Sequence, residues 1–141
     1  MKIKVLFTGK TNEAWIREGV AQYAGRIAHY LPFEIVETPD LDRMLKTLRP
    51  ADFLVLLDER GETFTSPGLA RYLEEKAAHL PKDLVFAIGG PYGFSQAVRE
   101  RSNGQISLSK MTFSHQLVRV VFVEQLYRAL TIIKGEPYHH E

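Results

Sequence analysis

The sequence of 141 residues predicts an α/β fold: a mostly parallel sheet with helices on both faces. Two observations carry this reading. Short apolar runs alternate with stretches of helical spacing in the order β-α-β-α-β-α-β, the pattern of parallel strands joined by right-handed crossovers. Two of those runs, Phe53-Leu54-Val55-Leu56-Leu57 and Leu84-Val85-Phe86-Ala87-Ile88, are unbroken, as in strands covered on both faces.

The elements follow in order. Residues 2–8 alternate, with Ile3, Val5 and Phe7 on one side and Lys2, Lys4 and Leu6 on the other, until Thr8-Gly9 ends the strand. From Asn12, a candidate N-cap, to about Tyr30, the residues Trp15, Val20, Tyr23, Ala24 and Ile27 recur near helical spacing, and Pro32 follows. Phe33 to Thr38 alternates again, and Asp40 to Leu48 forms a short helix that Pro50 stops. After Leu57, Asp58 to Gly61 reads as a loop, and Ser66-Pro67 opens a helix with Leu69, Leu73 and Ala77 on one stripe. Ser95 is placed to cap a helix through Ser102, and Asn103-Gly104 turns into a short strand.

From His115 to Ile133 the chain is apolar almost continuously, and its length favours a helix over a strand. At helical pitch those side chains cover nearly the whole circumference, so one face needs a cover beyond this domain's own core. A homodimer interface supplies that cover most simply.

Composition narrows the chemistry. With 45% apolar residues and 18 Lys and Arg against 17 Asp and Glu, the chain reads as one ordinary domain over 1–141. The lack of Cys removes disulfide scaffolds, thiolate zinc sites, iron–sulfur clusters and thiol nucleophiles. The N-terminus lacks a long hydrophobic stretch, so the expectation is a cytoplasmic protein with no membrane partner. A net charge of +1 gives no general pull on nucleic acid, so a polyanion must be held by a local patch or by shape.

In such sheets ligands bind where strands end, here after Leu57 and after Ile88. Gly89-Gly90-Pro91-Tyr92-Gly93 places three glycines in five residues, which lets a ligand approach the backbone closely. Pro91 occupies the second glycine of the dinucleotide fingerprint and no phosphate loop exists, which disfavours dinucleotides and nucleoside triphosphates. On its own the segment reads equally as a tight strand-to-helix turn. The aperiodic stretch from Asn103 to His115 offers main-chain donors and acceptors suited to an adenine edge, although taken bare it is a loop. Glu124 and Arg128, four apart, pair on one helix face, in a structural or a functional role. His139-His140 suggests metal, yet adjacent side chains in an extended tail diverge and nothing completes a site; no metal is expected, and a frayed end is the default. His115 alone is more often a hydrogen-bonded loop histidine than a base.

The segments Ile88-Gly89-Gly90-Pro91-Tyr92-Gly93, Leu108-Ser109-Lys110-Met111-Thr112-Phe113-Ser114-His115-Gln116-Leu117-Val118-Arg119, Glu124-Gln125-Leu126-Tyr127-Arg128-Ala129 and Pro137-Tyr138-His139 closely resemble the RlmH family. These proteins are SPOUT-class methyltransferases. The resemblance implies a C-terminal trefoil knot, a homodimer, S-adenosylmethionine bound in the knot, and methylation at N3 of a pseudouridine in 23S ribosomal RNA, on the assembled ribosome. By position it puts cofactor contacts on Leu57, Gly89, Leu108, Ser109, Lys110, Met111, Thr112 and Phe113. It puts catalysis on Arg128, His139 and Tyr138, and substrate binding on His115, Arg128 and Tyr138. The connection from Asp40 to Ala51 is shorter than the family's usual one. Two other readings compete: a SPOUT-like tRNA methyltransferase, and a non-enzymatic ribosome- or RNA-binding module on the same fold.

Overall fold

The computed structural model describes residues 1–140. Five strands, β1 (Ile3–Thr8), β2 (Phe33–Thr38), β3 (Phe53–Thr63), β4 (Leu84–Ile88) and β5 (Gly104–Ser107), form one sheet in the order β2-β1-β4-β3-β5. All four strand pairings are parallel. The helices are α1 (Ala14–Ile27), α2 (Leu41–Leu45), α3 (Ser66–His79), α4 (Gln96–Arg101) and α5 (Leu117–Ile133).

Strand alternation sorts the side chains into two cores. Ile3, Val5, Phe7, Val55, Leu84, Phe86 and Ile88 face α1, α3 and α5, while Leu6, Leu54, Leu56, Val85 and Ala87 face the shorter α2 and α4. Phe86 and Phe122 meet edge to face at 5.0 Å between ring centres in the larger core. Truncating a ring buried this way costs about 3–5 kcal/mol.

Caps mark several helix starts. Asp40, Thr65 and Ser95 each accept a hydrogen bond from the backbone N–H three residues on, at 3.1, 3.0 and 3.2 Å. Asn12 is not a cap. The first helix starts at Ala14 after Glu13, whose side chain makes no capping bond, and Asn12 instead donates its backbone N–H to Gln116 Oε1 at 2.8 Å.

The segment Asp58–Gly61 is not a free loop, because β3 runs on to Thr63. β5 pairs with Val55–Leu57, the register shifts, and pairing resumes at Glu62 and Thr63. At Gly61 the backbones nearly touch: a Cβ there would lie 2.7 Å from the main chain of Gln105 and Ile106. Only glycine fits this crossing.

The apolar circumference of α5 is covered partly by the chain itself. Tyr127 packs on Tyr23 of α1 at 5.9 Å between ring centres, and Gly19 lies so close to Val120 that a Cβ would stand 2.9 Å from its Cγ2. Val121 and Gln125 remain half-buried over a hollow of about 290 Å³. Among the described residues, no helix is long and apolar enough to cross a membrane.

Candidate active site

The stretch of β3 where its pairing with β5 breaks, the carboxyl end of β4 and the loop entering α5 enclose a cavity of about 540 Å³. This size suits a small-molecule site. One wall is Leu57 to Arg60. A second is Ile88 to Gly93, folded into a turn in which Gly93 N–H donates to Gly90 O at 3.1 Å and Gly93 adopts φ +74°. The backbone is packed tightly here: a Cβ on Gly89 would lie 3.1 Å from Gly93 O and 3.2 Å from its carbonyl carbon.

The third wall is the loop from Ser107 to His115, with Val118 of α5 behind it. Its own side chains shape it. Ser107 donates to Ser109 O at 2.9 Å, Ser109 Oγ accepts from Met111 N at 3.0 Å, and Ser114 Oγ accepts from Leu117 N at 3.0 Å to start α5.

Leu57, Gly89, Leu108, Ser109, Met111, Thr112, Phe113 and His115, singled out in the sequence, thus stand around one cavity. Lys110 does not. The turn capped by Ser109 leaves it exposed and off the wall.

Asp58, conspicuous in the sequence after Leu56-Leu57 but given no role there, adds a charged corner. It accepts from Arg99 Nη2 at 2.8 Å, Arg60 N at 2.9 Å and Arg60 Nε at 3.3 Å. Burial pushes its carboxyl up, but the Arg60 amide and the two guanidinium groups outweigh burial and hold it at about 2. A single acid after an apolar strand gives no periodic signal. Its position at a strand's carboxyl end is the only sequence clue.

Arg128, Tyr138 and His139 form a second cluster. Gly135, at φ +69°, turns the chain after α5, and Glu136 ties down the turn by donating its N–H to Thr131 O at 2.9 Å and accepting from Tyr30 OH at 2.7 Å. The end is therefore docked. Tyr138 lies edge-on to Tyr127 at 4.7 Å, with Arg128 4.7 Å above its ring, and donates to Glu124 Oε2 at 3.1 Å. Burial, with hydrogen bonds to Tyr23 and Glu124, pushes the Tyr138 hydroxyl pKa well up, so it stays protonated. Arg128 Nη1 contacts His139 Nδ1 at 3.2 Å. A guanidinium only donates, so in this contact Nδ1 is the accepting atom.

This cluster does not line the cavity. Val118 on the wall and Arg128 are ten residues apart on α5, about 15 Å along the axis. One chain brings the cofactor candidates together and the catalytic candidates together, but not one set to the other. Among the described residues, no three His, Asp or Glu side chains are grouped to hold a metal ion.

A family model described as "Predicted SPOUT methyltransferase" matches residues 1–139. A protein of Parabacteroides distasonis named ribosomal RNA large subunit methyltransferase H is 48% identical, with all of both chains covered. The chain belongs to the RlmH family of SPOUT methyltransferases. RlmH relatives of the same name in Cytophaga hutchinsonii and a Geobacter species are each 49% identical, over 99% and 100% of this chain and all of theirs. The Parabacteroides alignment spans 157 positions, so that RlmH protein carries residues this shorter chain lacks. A methyltransferase structure from Legionella pneumophila, solved with bound S-adenosylmethionine, is similar in fold with a TM-score of 0.52 at 13% identity. It covers 94% of this RlmH chain and 66% of its own.

Proposed function

We propose that this chain is an S-adenosylmethionine-dependent methyltransferase that methylates N3 of a pseudouridine in large-subunit ribosomal RNA. It works in the cytoplasm, on the assembled ribosome, as a homodimer of one domain per chain. The observation that carries the reading is the cavity. Its walls are glycine backbone and a short polar loop at the carboxyl edge of a parallel sheet, in a chain nearly half identical to named ribosomal RNA methyltransferases.

The residues fit the cofactor. Gly89 keeps its wall a tight turn, since any Cβ would crowd Gly93, the main chain of 108–113 offers donors and acceptors to an adenine edge, and Leu57, Leu108 and Phe113 supply apolar walls. Bound S-adenosylmethionine supplies a sulfonium methyl group for in-line displacement by nitrogen.

The chain's own task is alignment and exclusion of water. N3 of the base carries a proton at neutral pH and must lose it as the nitrogen–carbon bond forms. Arg128 stabilises the resulting anion electrostatically. His139 meets Arg128 through Nδ1 and so orients it, and either His139 or a water takes the proton. Tyr138 holds its hydroxyl on Glu124, with its ring beneath the guanidinium.

Because the catalytic cluster stands about 15 Å along α5 from the cavity wall, it acts on the cavity of a second copy. The half-buried Val118, Val121 and Gln125 face supports that pairing. Membership of the SPOUT family supports a C-terminal trefoil knot. A charge of +1 favours docking on a large preassembled surface over gripping a naked hairpin.

Labelled methyl transfer into ribosomes and total RNA from cells lacking the gene tests the reading, and label in 23S RNA is expected. Label confined to tRNA would replace the substrate. No thermal stabilisation by S-adenosylmethionine, where roughly 2.7 kcal/mol is expected at 100 times its Kd, would leave a binding module.

A further inference from the structure

Arg119 is the largest side chain that is fully buried, and it carries a charge. It lies in the first turn of α5 and reaches to the carboxyl end of β1. Nη2 donates to Thr8 O at 2.7 Å, and Nη1 donates to Thr11 Oγ1 at 2.8 Å and Gly9 O at 3.0 Å. Glu37 Oε2 stands 3.5 Å away, and the guanidinium sits 4.8 Å from the centre of the Phe7 ring. Among the described residues, its Nε has no hydrogen-bond partner.

A buried guanidinium with an unmet N–H is poor design for stability, since desolvation outweighs much of what its partners return and an apolar residue would pack there at less cost. What it supplies is a fixed geometry. Thr8, whose carbonyl Arg119 holds, turns its own hydroxyl the other way and donates to Ile88 O at 3.1 Å. Ile88 is the last residue of β4 before Gly89, and both line the cavity. Gln116, three residues before Arg119, grips the same β1 loop by donating to Lys10 O at 3.0 Å and accepting from Asn12 N at 2.8 Å.

We propose that Arg119 is a positioning residue for cofactor binding. Through Thr8 it locks the loop of residues 107–115, which α5 continues, to the Gly89–Gly93 turn, and so sets the spacing of two cavity walls. It touches no ligand. The proposal rests on the reading of this cavity as the cofactor site, and it adds a residue to that site that does not line it.

The test uses the full-length protein with Arg119→Met, Arg119→Lys, Thr8→Val and the double variant Thr8→Val/Arg119→Met. Thr8→Val keeps the shape and removes only the hydroxyl, so it remains decisive if Arg119→Met does not fold. The expected result is a Kd for S-adenosylmethionine raised about tenfold in Arg119→Met and Thr8→Val, with partial recovery in Arg119→Lys. The double variant binds no more weakly than Arg119→Met, because both changes cut one path. Amide hydrogen exchange in 89–93 and 107–115 rises together in each single variant, with or without ligand. Unchanged exchange in both segments, or penalties that multiply in the double variant, would overturn the proposal. Wild-type protein that fails to bind S-adenosylmethionine would sink the functional reading instead, and the exchange data would still decide the role of Arg119.

Discussion

Glu124 and Arg128 form a two-pronged ion pair on α5, with Nη2 donating to Oε2 at 3.0 Å and Nε to Oε1 at 3.3 Å. The fork leaves Nη1 for His139, and Tyr138 shares the same carboxylate. Arg128→Ala is expected to keep cofactor affinity while lowering kcat about 100-fold or more. Arg128→Lys recovers only part, since an ammonium cannot span both oxygens. Calorimetry with the cofactor and single-turnover methylation check the two halves separately.

Gly89→Ala attacks the other half of the site. The added methyl would crowd the Gly93 carbonyl at 3.1 Å, and backbone, unlike the end of a flexible side chain, does not step aside freely. Titration calorimetry is expected to show at least about a tenfold loss of cofactor affinity, with a smaller change in melting temperature. Undiminished affinity would remove the glycine turn from the binding wall.

The Asp58 corner makes an acid prediction. A carboxyl held at about 2 in the fold, against 3.8 when free, stabilises the fold fully above about pH 4 and loses that contribution as pH falls through about 2. Urea midpoints measured across that window are expected to fall less steeply in Asp58→Asn, which starts lower at neutral pH. Parallel curves for the two proteins would deny Asp58 this role.

Deleting residues 138–141 removes the ring packed edge-on against Tyr127 and the hydroxyl on Glu124. Methylation is expected to vanish, while melting falls by only about 3–4 °C, the shift of about 1 kcal/mol in a domain this size. Retained turnover would return the segment to the status of a passive end.

The sheet could be read from the chain because buried strands announce themselves as unbroken apolar runs, as at 53–57 and 84–88. The cavity is legible for a related reason: strand ends and glycine turns are local signals, and Leu57 and Gly89 carry them. Long-range facts are not. Gly61 looked like a loop residue because its constraint comes from Gln105 and Ile106, far along the sequence. Arg119 drew no separate reading, since its acceptors lie at the carboxyl end of β1, over a hundred residues away. The tail looked frayed because the groups holding Tyr138 and Glu136 lie on α5 and at Tyr30, after α1.

The parallel sheet also bears on how the molecule comes into being. Ile3 lies beside Leu84, and Val55 beside Gly104, so no strand finds its neighbour nearby in the chain. Such long-range pairing slows folding. During translation β3 waits as an open edge until β5 arrives, and the loop that finishes the pocket emerges later still. A nascent chain therefore has an unclosed cavity until the stretch from 107 to 115 has been made.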